Sequence, residues 1–461
     1  MTMALRIIGI DLAVTAAHKA VILDPADNRF IGKQVSFRAR PAELESLLAK
    51  AKKGLSGSPE IVAIMEATGM AWYPVGVWLH RRGVKVYRVN GRLTKDLRKV
   101  YSAHAGSDLI DSRALARLYQ IASERLVRWE PPGGKLLALQ RACREFVRWR
   151  EEDIAIQNRL KAYDHWAWGG GLNGMIPAQA QSWMRRNWYN PWRVRKAGIQ
   201  TLQKAWIAAN PDRKEVATDW VSRWTARAEE MTRLYGSEEM VAYEALQETI
   251  KRNLDLQLQS RKARQNLSRE EIQPRYRFLF PQRRLETLPG VGADSAAIYM
   301  AFIQDIKRFP TVEQFRKWTG MVPGSHQSGE FESKHLPLTK AGPNVVKSTL
   351  YLNAGVSRQW DVQFAALYHT QMVTYGKHHT QAVCACASHL ASRIYALLKQ
   401  ERDYQLRDVE GKPITREASR QLCLTRYHVP EAIRQRNTVR YRRKQAEAKT
   451  ERKYQRRQRN R

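Results

Sequence analysis

Four short runs of β-branched and apolar residues lie within the first 90 positions of this 461-residue chain. They are LRIIGIDL at 5–12, HKAVILD at 18–24, EIVAIMEATG at 60–69 and VKVYRVN at 84–90. Runs of this length and composition predict buried strands. Between the last two runs, AWYPVGVWLHRRG suits a helix that ends at Gly83. With a further helix from Ser107, the pattern predicts an α/β domain over residues 1–125.

The pattern changes after residue 125, where the chain becomes predominantly helix-forming. Residues 126–280 contain long charged segments, which predict extended helices or a coiled coil. A Trp- and Gly-rich insert at about 163–240 interrupts them, and its aromatic and arginine side chains could stack on bases or fill a small core. Residues 281–402 predict a third, mainly helical domain. Residues 403–461 form a basic, glutamine-rich tail that we expect to be disordered until it meets nucleic acid.

The charge of the chain predicts a polyanionic partner. Lysine and arginine number 79 against 44 aspartates and glutamates, so the net charge is +35. A charge this large is most often a sign of nucleic-acid binding. We find no apolar run near the ~18 residues needed to span a bilayer and no signal peptide at the first residues. We therefore expect a cytoplasmic protein with no membrane partner.

The four cysteines are too few for a disulfide framework in so long a chain. Cys384 and Cys386 lie near three histidines, which raises the possibility of a zinc site. The pair lacks the usual C-x2-4-C spacing, and residues 381–400 predict an amphipathic helix. Small buried cysteines are the favoured interpretation.

Four carboxylates in the first domain suggest a metal site. Asp11 ends the first predicted strand, Glu66 ends the third, and Asp108 and Asp111 are spaced i, i+3 on one helix face. Four acids brought together repel one another unless cations lie between them, and oxygen ligands suit Mg²⁺ or Mn²⁺. Two such ions about 3.5 to 4 Å apart commonly activate the attacking oxygen and stabilise the leaving oxygen in phosphodiester chemistry.

Two plainer interpretations of the same acids are weighed against this one. Each acid alone could be a solvated strand-end charge or a helix N-terminal acid favoured by the dipole. The GIDLA start also occurs in sugar kinases and actin-like ATPases, but LAVTAAH after Asp11 does not supply their Gly/Thr-rich phosphate loop. The four acids in this order favour the metal site.

Two glycine-containing turns in the third domain are candidate nucleic-acid contacts. LPGVG, with Gly290 and Gly292, resembles a helix-hairpin-helix turn whose backbone N–H groups could hold a phosphate, although a plain helix–helix connection is equally consistent. GMVPGSHQSGE at 320–330 contains Ser325 and Ser328, and its composition alone predicts only a turn. His326 in this loop is a weaker candidate for a proton shuttle.

Several of these segments together resemble a known family. GIDLA, MEATGMAWYPVGVWLHRRGVKVYRVN and SDLIDSRALA resemble the RuvC-like DEDD domain of the IS one-ten family of transposases. The segment that runs from LETLPGVG through LTKAGPNVVKSTLYLNA resembles that family's C-terminal transposase domain. The resemblance covers residues 5–125 and 285–400. It implies an RNase H-like (RuvC-like) first domain and a helical middle.

The resemblance implies a function as well. Such a protein is a DNA recombinase that moves its insertion sequence through a circular intermediate, guided by a structured bridge RNA, and it acts at the prokaryotic nucleoid. Carried over, Asp11, Glu66, Asp108 and Asp111 bind Mg²⁺ (or Mn²⁺), and Ser328 attacks the phosphodiester and holds the strand covalently. Ser325 is then the turn residue. Gly106 and Glu330 stand where the family often has a basic residue and a second glycine.

The chain also has candidate phosphate-binding residues and an expected oligomeric state. The lysines after the serine loop, and a basic cluster in the tail, are expected to meet phosphates: Lys334, Lys340, Lys347, Arg442, Arg443 and Lys444. Synapsis of donor and target DNA predicts a homodimer or homotetramer. Two alternatives stay open: a RuvC-like nuclease that hydrolyses branched DNA with water, and a non-enzymatic nucleic-acid scaffold.

Overall fold

The structure is a computed structural model, and it divides into two compact units, Met1–Gly133 and Gly134–Arg461. It describes residues 4–55, 57, 59–66, 69–89, 97, 108–123, 126, 128–212, 218–323, 327–328, 331–332, 338–339 and 341–459. Each unit is built around hydrophobic clusters of its own.

The first unit contains a five-stranded mixed sheet with the spatial order β3-β2-β1-β4-β5. Its strands are β1 (Leu5–Asp11), β2 (His18–Asp24), β3 (Arg29–Phe37), β4 (Glu60–Glu66) and β5 (Lys85–Val89). Strands β1, β2 and β3 are antiparallel neighbours, whereas β4 runs parallel to β1 and β5 runs parallel to β4. The four apolar runs are therefore confirmed as strands, and the sheet they form is mixed.

Three helices of the first unit are described: α1 (Pro41–Lys52), α2 (Trp72–His80) and α3 (Asp108–Ala122). The predicted helix before Gly83 is confirmed as α2, and Gly83 adopts a positive φ of 81° just beyond it. The sequence pattern did not reveal β3 and α1. β3 lies at the sheet edge and most of its residues are exposed or half-buried, so it lacks the buried apolar run that marks the other strands.

Residue alternation along β1 and β4 separates two faces of the sheet. Ile8, Ile10 and Ala63 pack with α1 and α2 in one cluster, whereas Ile7, Val62 and Ile64 pack with α3 in another. Because successive side chains of a strand point to opposite faces, Gly9, Asp11 and Glu66 belong to the face that α3 covers.

Gly9 allows α3 to approach the sheet closely. A Cβ atom at this position would lie 2.1 Å from the carbonyl oxygen of Ser112 and 2.5 Å from the amide nitrogen of Ala116. Both obstacles are backbone atoms of α3, so no side-chain rotation could relieve the overlap. The glycine thus sets the distance between α3 and the strand that ends at Asp11.

Gly9→Ala is expected to destabilise the first unit by about 3 kcal/mol, because the whole helix must move to accept one methyl group. The free energy of unfolding, measured by urea denaturation, checks this. Gly133→Ala is the matched control, since a Cβ atom at Gly133 meets nothing within 4 Å and should change stability by less than about 0.5 kcal/mol. Equal stability of the two variants would contradict the close approach of α3.

The first part of the second unit is helical, as predicted. Its helices are α4 (Gly134–Trp168), α5 (Ala178–Asn187), α6 (Pro191–Ala209, interrupted at Gly198), α7 (Thr218–Tyr235), α8 (Tyr243–Leu267) and α9 (Gln273–Leu279). The long helices α4 and α8 run antiparallel along each other: Ser260 Oγ donates to the Trp149 carbonyl at 2.8 Å, and Tyr243 Oη donates to that of Ala167 at 2.5 Å. This pair is the extended helical element that the charged segments predicted.

The tryptophans of the insert fill a core. Trp168, Trp206, Trp220 and Trp224 are each at most 2% exposed and lie in one hydrophobic cluster. Their rings pack edge to face or stacked, with centroids 5.4 Å apart for Trp206 and Trp220 and 5.9 Å for Trp220 and Trp224. Of the two roles that the sequence left open, the structure supports core packing for these four side chains, since buried rings cannot stack on bases.

The remaining helices form a second core, and a short hairpin lies among them. The helices are α10 (Ala293–Ile303), α11 (Val312–Thr319), α12 (Asn344–Ser357), α13 (Val362–His369), α14 (His379–Gln400), α15 (Arg416–Leu424) and α16 (Glu431–Arg459). The strands of the hairpin are β6 (Gln327–Ser328) and β7 (Phe331–Glu332). Helix α14 confirms the helix predicted at 381–400. Within the described residues, no helix is both long and apolar enough to cross a membrane.

The expectation of a disordered tail is wrong, because residues 431–459 form helix α16. Arginine, lysine, glutamine, glutamate and alanine dominate its sequence, and all are strong helix formers. Its first turns are also anchored: Asn437 is 2% exposed and donates to the carbonyl oxygens of Met372 and Lys377 at 2.8 and 3.1 Å. High charge was therefore a poor guide to order here.

Candidate active site

Asp11 and Glu66 lie at the same edge of the sheet. Each is the last residue of its strand, and the parallel register pairs Ile10 with Met65 immediately before them. Adjacent strands are about 4.8 Å apart. The two acids are therefore neighbours at the carboxyl ends of β1 and β4, on the face that α3 covers, and both are half-buried.

Helix α3 brings Asp108 and Asp111 to this edge. Near its start, Ser112 Oγ accepts a hydrogen bond from Gln34 Nε2 at 3.2 Å, whereas one and a half turns later Arg117 donates to the carbonyl oxygen of Asn28 at 3.2 Å. Gln34 lies further than Asn28 toward the edge where β1 ends, because β2 pairs with both β1 and β3 in antiparallel register. Helix α3 thus runs antiparallel to β1 with its first turn at the edge of Asp11.

Ser112 fixes this first turn. Its side chain is fully buried, and its Oγ donates to the carbonyl oxygen of Asp108 at 2.7 Å. Asp108 is exposed and Asp111 is half-buried. The backbone therefore places Asp11, Glu66 and the helix turn that carries Asp108 and Asp111 at one edge of the sheet, and their role as a metal site stays a prediction.

The carboxylate oxygens themselves are not drawn together. Among the side chains that the structure describes, no three His, Cys, Asp or Glu residues form a group that could hold a metal ion. The donor set at this edge consists of carboxylate oxygens, which suits a hard divalent cation such as Mg²⁺ rather than zinc.

Lys19 is a neighbour of the candidate site that the sequence pattern did not reveal. It pairs directly with Asp11 across the antiparallel β1–β2 ladder, so both side chains belong to the α3 face of the sheet. Lys19 Nζ donates to Ser36 Oγ at 3.3 Å. The two predicted strands are joined by a short turn, so an antiparallel hairpin could have been inferred, but its register could not. A lysine here can meet a phosphate that approaches the acids.

The serine loop is described only in part. The backbones of Gln327 and Ser328 pair with those of Glu332 and Phe331 in a two-stranded hairpin. The side chain of Ser328 lies outside the described residues, as do Ser325, His326, Gly329 and Glu330. The backbone of Ser328 thus belongs to a strand of this hairpin.

The glycines of LPGVG have different roles. Gly290 has φ +88°, and a Cβ atom there would lie 2.7 Å from the amide nitrogen of Ser357. Asn353 Nδ2 donates to the carbonyl oxygen of Gly290, and Ser357 Oγ donates to that of Pro289 at 2.7 Å. Gly290 is therefore a packing residue against α12.

Gly292 is the exposed residue of this turn. It caps the start of α10, and a Cβ atom there would meet nothing within 4 Å. A short 3-10 helix, Arg284–Thr287, precedes the turn in place of a full helix. Asp294 in the first turn of α10 weakens the case for phosphate binding, because its negative charge opposes an anion at the helix start.

The predicted basic contacts are distributed over several elements. Lys334 and Lys340 lie outside the described residues, whereas Lys347 on α12 donates to the carbonyl oxygen of Ala341 at 3.2 Å. Three further predicted contacts, Arg442, Arg443 and Lys444, are exposed on α16. Arg443 forms an exposed ion pair with Glu447 at 2.9 Å, which is weak enough for a phosphate to displace.

The cysteines of α14 belong to the helical core. Cys386 is fully buried, and burial raises the pKa of its thiol to about 12. Burial likewise raises the pKa of the Cys384 thiol. His379 accepts or donates a hydrogen bond with Tyr368 Oη at 2.7 Å, and burial lowers its pKa. These thiols pack as small apolar side chains.

Comparisons with known proteins match both ends of the chain. A family model for DEDD transposases of the IS110 type, described as "Transposase", matches residues 8–163, and one described as "Transposase IS116/IS110/IS902 family" matches residues 282–369. The first match contains all four acids of the sheet edge. The second contains the serine hairpin and the LPGVG turn.

Individual relatives agree with the family models. An "Insertion element IS110 uncharacterized 43.6 kDa protein" of Streptomyces coelicolor is 29% identical over 128 residues, which cover 28% of this chain and 31% of that protein. A "Pilin gene-inverting protein" of Moraxella lacunata is 24% identical over 123 residues, covering 27% and 38%; one of Moraxella bovis matches to the same extent. The chain thus spans about a third of the length of the curated relatives it matches.

Proposed function

Because the chain belongs to the IS116/IS110/IS902 family of transposases, we propose that it is a DNA transposase or recombinase that cuts and rejoins DNA at the ends of an insertion sequence. The observation that carries the proposal is the gathering of Asp11, Glu66 and the first turn of α3 at one edge of the sheet. The names of the pilin gene-inverting relatives support DNA rearrangement as the reaction.

The fold of the first unit is RNase H-like in this proposal. A mixed sheet in the order β3-β2-β1-β4-β5, with acids ending its two central parallel strands and a helix carrying two more acids to the same edge, supports it. The function follows from the site and not from the fold alone, because one fold supports many chemistries.

The four acids are proposed to hold Mg²⁺ or Mn²⁺. Asp11 and Glu66 supply carboxylate oxygens from the sheet, while Asp108 and Asp111 supply them from α3. Divalent cations, when held by these residues, would activate an attacking hydroxyl and stabilise charge on the leaving oxygen. Lys19, opposite Asp11, offsets part of the negative charge of the acids and can hold a non-bridging phosphate oxygen.

Ser328 is the proposed nucleophile. Its Oγ forms a bond to the phosphorus as the bond from that phosphorus to one deoxyribose oxygen breaks. A base takes the serine proton, and the freed deoxyribose oxygen receives one proton, directly or through water, and leaves as a hydroxyl. Attack by a deoxyribose hydroxyl on the phosphoserine reverses these changes and rejoins the strands. A serine hydroxyl needs such activation because it is a weak nucleophile at neutral pH.

The remaining elements of the proposal concern partners. A guide RNA of the bridge type, and a homodimer or homotetramer that holds donor and target DNA, are carried over from the family resemblance. The net charge of +35 supports binding of both nucleic acids. Arg442, Arg443 and Lys444 on the exposed side of α16 are proposed phosphate contacts.

Metal dependence tests the proposal. The purified protein is incubated with DNA that carries the sequences flanking its gene, with the RNA transcribed from them. Mg²⁺ or Mn²⁺ is expected to raise the rate of strand cleavage at least about 1,000-fold over an EDTA-treated sample. Nucleic-acid binding without cleavage in either metal would favour the scaffold alternative and overturn the proposal.

A further inference from the structure

A basic cavity lies in the second unit, outside the candidate active site. Its volume is about 270 Å³, and it is enclosed by the end of α12, by α13 and α15, and by the first turn of α16. Its lining includes Arg358, Tyr368, Arg420, Tyr427, His428 and Arg434. Of the described residues that line it, none is aspartate or glutamate. The side chains that line the cavity therefore carry positive charge only.

Two of its arginines have unsatisfied donors. The Nε atoms of Arg358 and Arg434 are buried and have no hydrogen-bond partner among the described residues. Arg358 is held in place by stacking, with its guanidinium carbon 4.3 Å from the centre of the Tyr368 ring. Stacking uses the face of a guanidinium and leaves the N–H donors at its edge for other partners.

The third arginine is fixed by its surroundings. Arg420 donates to the carbonyl oxygen of Gln359 at 2.5 Å and stacks 4.6 Å above the ring of Trp360. Both contacts hold the side chain at the cavity wall without neutralising its charge. A planar fork of N–H donors in a fixed position is the arrangement that recognises phosphate.

The electrostatics of a neighbouring group agree with positive charge at the cavity. His379 is hydrogen-bonded to Tyr368, and its pKa is lowered first by burial and then by the charges of Arg358 and Arg434. Partly buried cations close together repel one another and have lost hydration. Such a cluster is stabilised when an anion enters.

We propose that this cavity binds one phosphate group of a nucleic-acid strand, held by Arg358, Arg420 and Arg434. The strand continues along α16, where further basic side chains beyond the cavity are exposed: Arg440, Arg442, Arg443 and Lys444. Tyr427 and His428 also line the cavity, and His428 is exposed.

The cavity extends the proposed function to a part of the chain that the family models do not match. Those matches end at residue 369, whereas Arg420 and Arg434 lie beyond it. The assignment to a nucleic-acid strand rests on the proposed function, but phosphate binding does not. Loss of metal-dependent DNA cleavage would therefore leave the phosphate result unaffected.

Pyrophosphate is the first probe, titrated by calorimetry into the full-length protein at low salt. Arg434→Gln is expected to weaken pyrophosphate binding about 10-fold or more, because charge-assisted hydrogen bonds are lost. Arg436→Gln is the matched control: it removes the same charge from an exposed position on the same helix and should change this affinity by less than about twofold. Arg434→Lys should restore part of the binding.

A labelled single-stranded oligonucleotide is the second probe, followed by fluorescence anisotropy. Arg434→Gln should weaken its binding about 10-fold, against about twofold or less for Arg436→Gln. Without anion, Arg434→Gln should keep the thermal midpoint of the wild type, whereas a purely structural arginine would lower it. Equal pyrophosphate affinity in wild type and Arg434→Gln overturns the site. Weakened pyrophosphate binding with unchanged oligonucleotide binding overturns its assignment to a strand.

Discussion

Asp11→Asn is expected to reduce the rate of DNA strand cleavage at least about 1,000-fold, because it removes an anionic metal ligand from the sheet edge. The substitution keeps the size of the side chain but leaves one anionic oxygen ligand fewer for the cations. Glu66→Gln should have an effect of the same order, since Glu66 occupies the equivalent position on the neighbouring strand. Single-turnover cleavage of end-labelled DNA in Mg²⁺ measures both.

Asp27→Asn is the control for these two variants. Asp27 lies in the same unit, is exposed, and pairs with Arg29 at 3.3 Å on the surface. Its replacement should change the cleavage rate less than about twofold. All three variants are expected to bind nucleic acid as the wild type does, so a loss of cleavage cannot be ascribed to a loss of binding. Cleavage by Asp11→Asn within tenfold of the wild type would contradict the metal assignment.

Ser328→Ala is expected to abolish strand joining and to lower cleavage at least about 10,000-fold, because the nucleophile is removed while the acids stay. Ser325→Ala is the matched control, since it deletes the same hydroxyl three residues earlier in the same loop. It should retain activity within about threefold of the wild type if Ser325 is only a turn residue. Cleavage rates of both variants, measured on the same DNA, make the comparison.

The reverse result would identify Ser325 as the nucleophile. Full activity in Ser328→Ala with loss in Ser325→Ala would exchange the two roles. Full cleavage in both variants would favour the nuclease alternative, in which water is the nucleophile and each serine is dispensable. Either outcome leaves the metal assignment of the acids in place, because the Asp11→Asn experiment tests it independently.

The candidate site was predictable because its geometry depends on local pattern. Apolar runs identified β1 and β4, and each run ends in its acid, so the sequence alone places Asp11 and Glu66 at a sheet edge. The i, i+3 spacing put Asp108 and Asp111 on one face of α3. Lys19 was missed because a cross-strand partner is visible only once the register of the hairpin is known.

Elements that depend on tertiary contacts were harder to predict. The edge strand β3 has few buried residues. It is a strand because it pairs with β2, and its own composition does not mark it as one. Helix α16 was mistaken for a disordered tail because the anchoring of Asn437 by two distant carbonyl groups has no sequence signature. The role of the tryptophans could be assigned only from their burial, because their composition fits a core and a base-stacking surface equally well.

The most direct test of the account is to identify the residue that becomes attached to DNA. The wild-type protein is reacted in Mg²⁺ with labelled DNA that carries the ends of the element, quenched in denaturant, digested with protease and nuclease, and examined by mass spectrometry. The account predicts a denaturation-resistant protein–DNA adduct with the nucleotide on Ser328. DNA that is cleaved with no attached protein, or with the nucleotide on another residue, would contradict it.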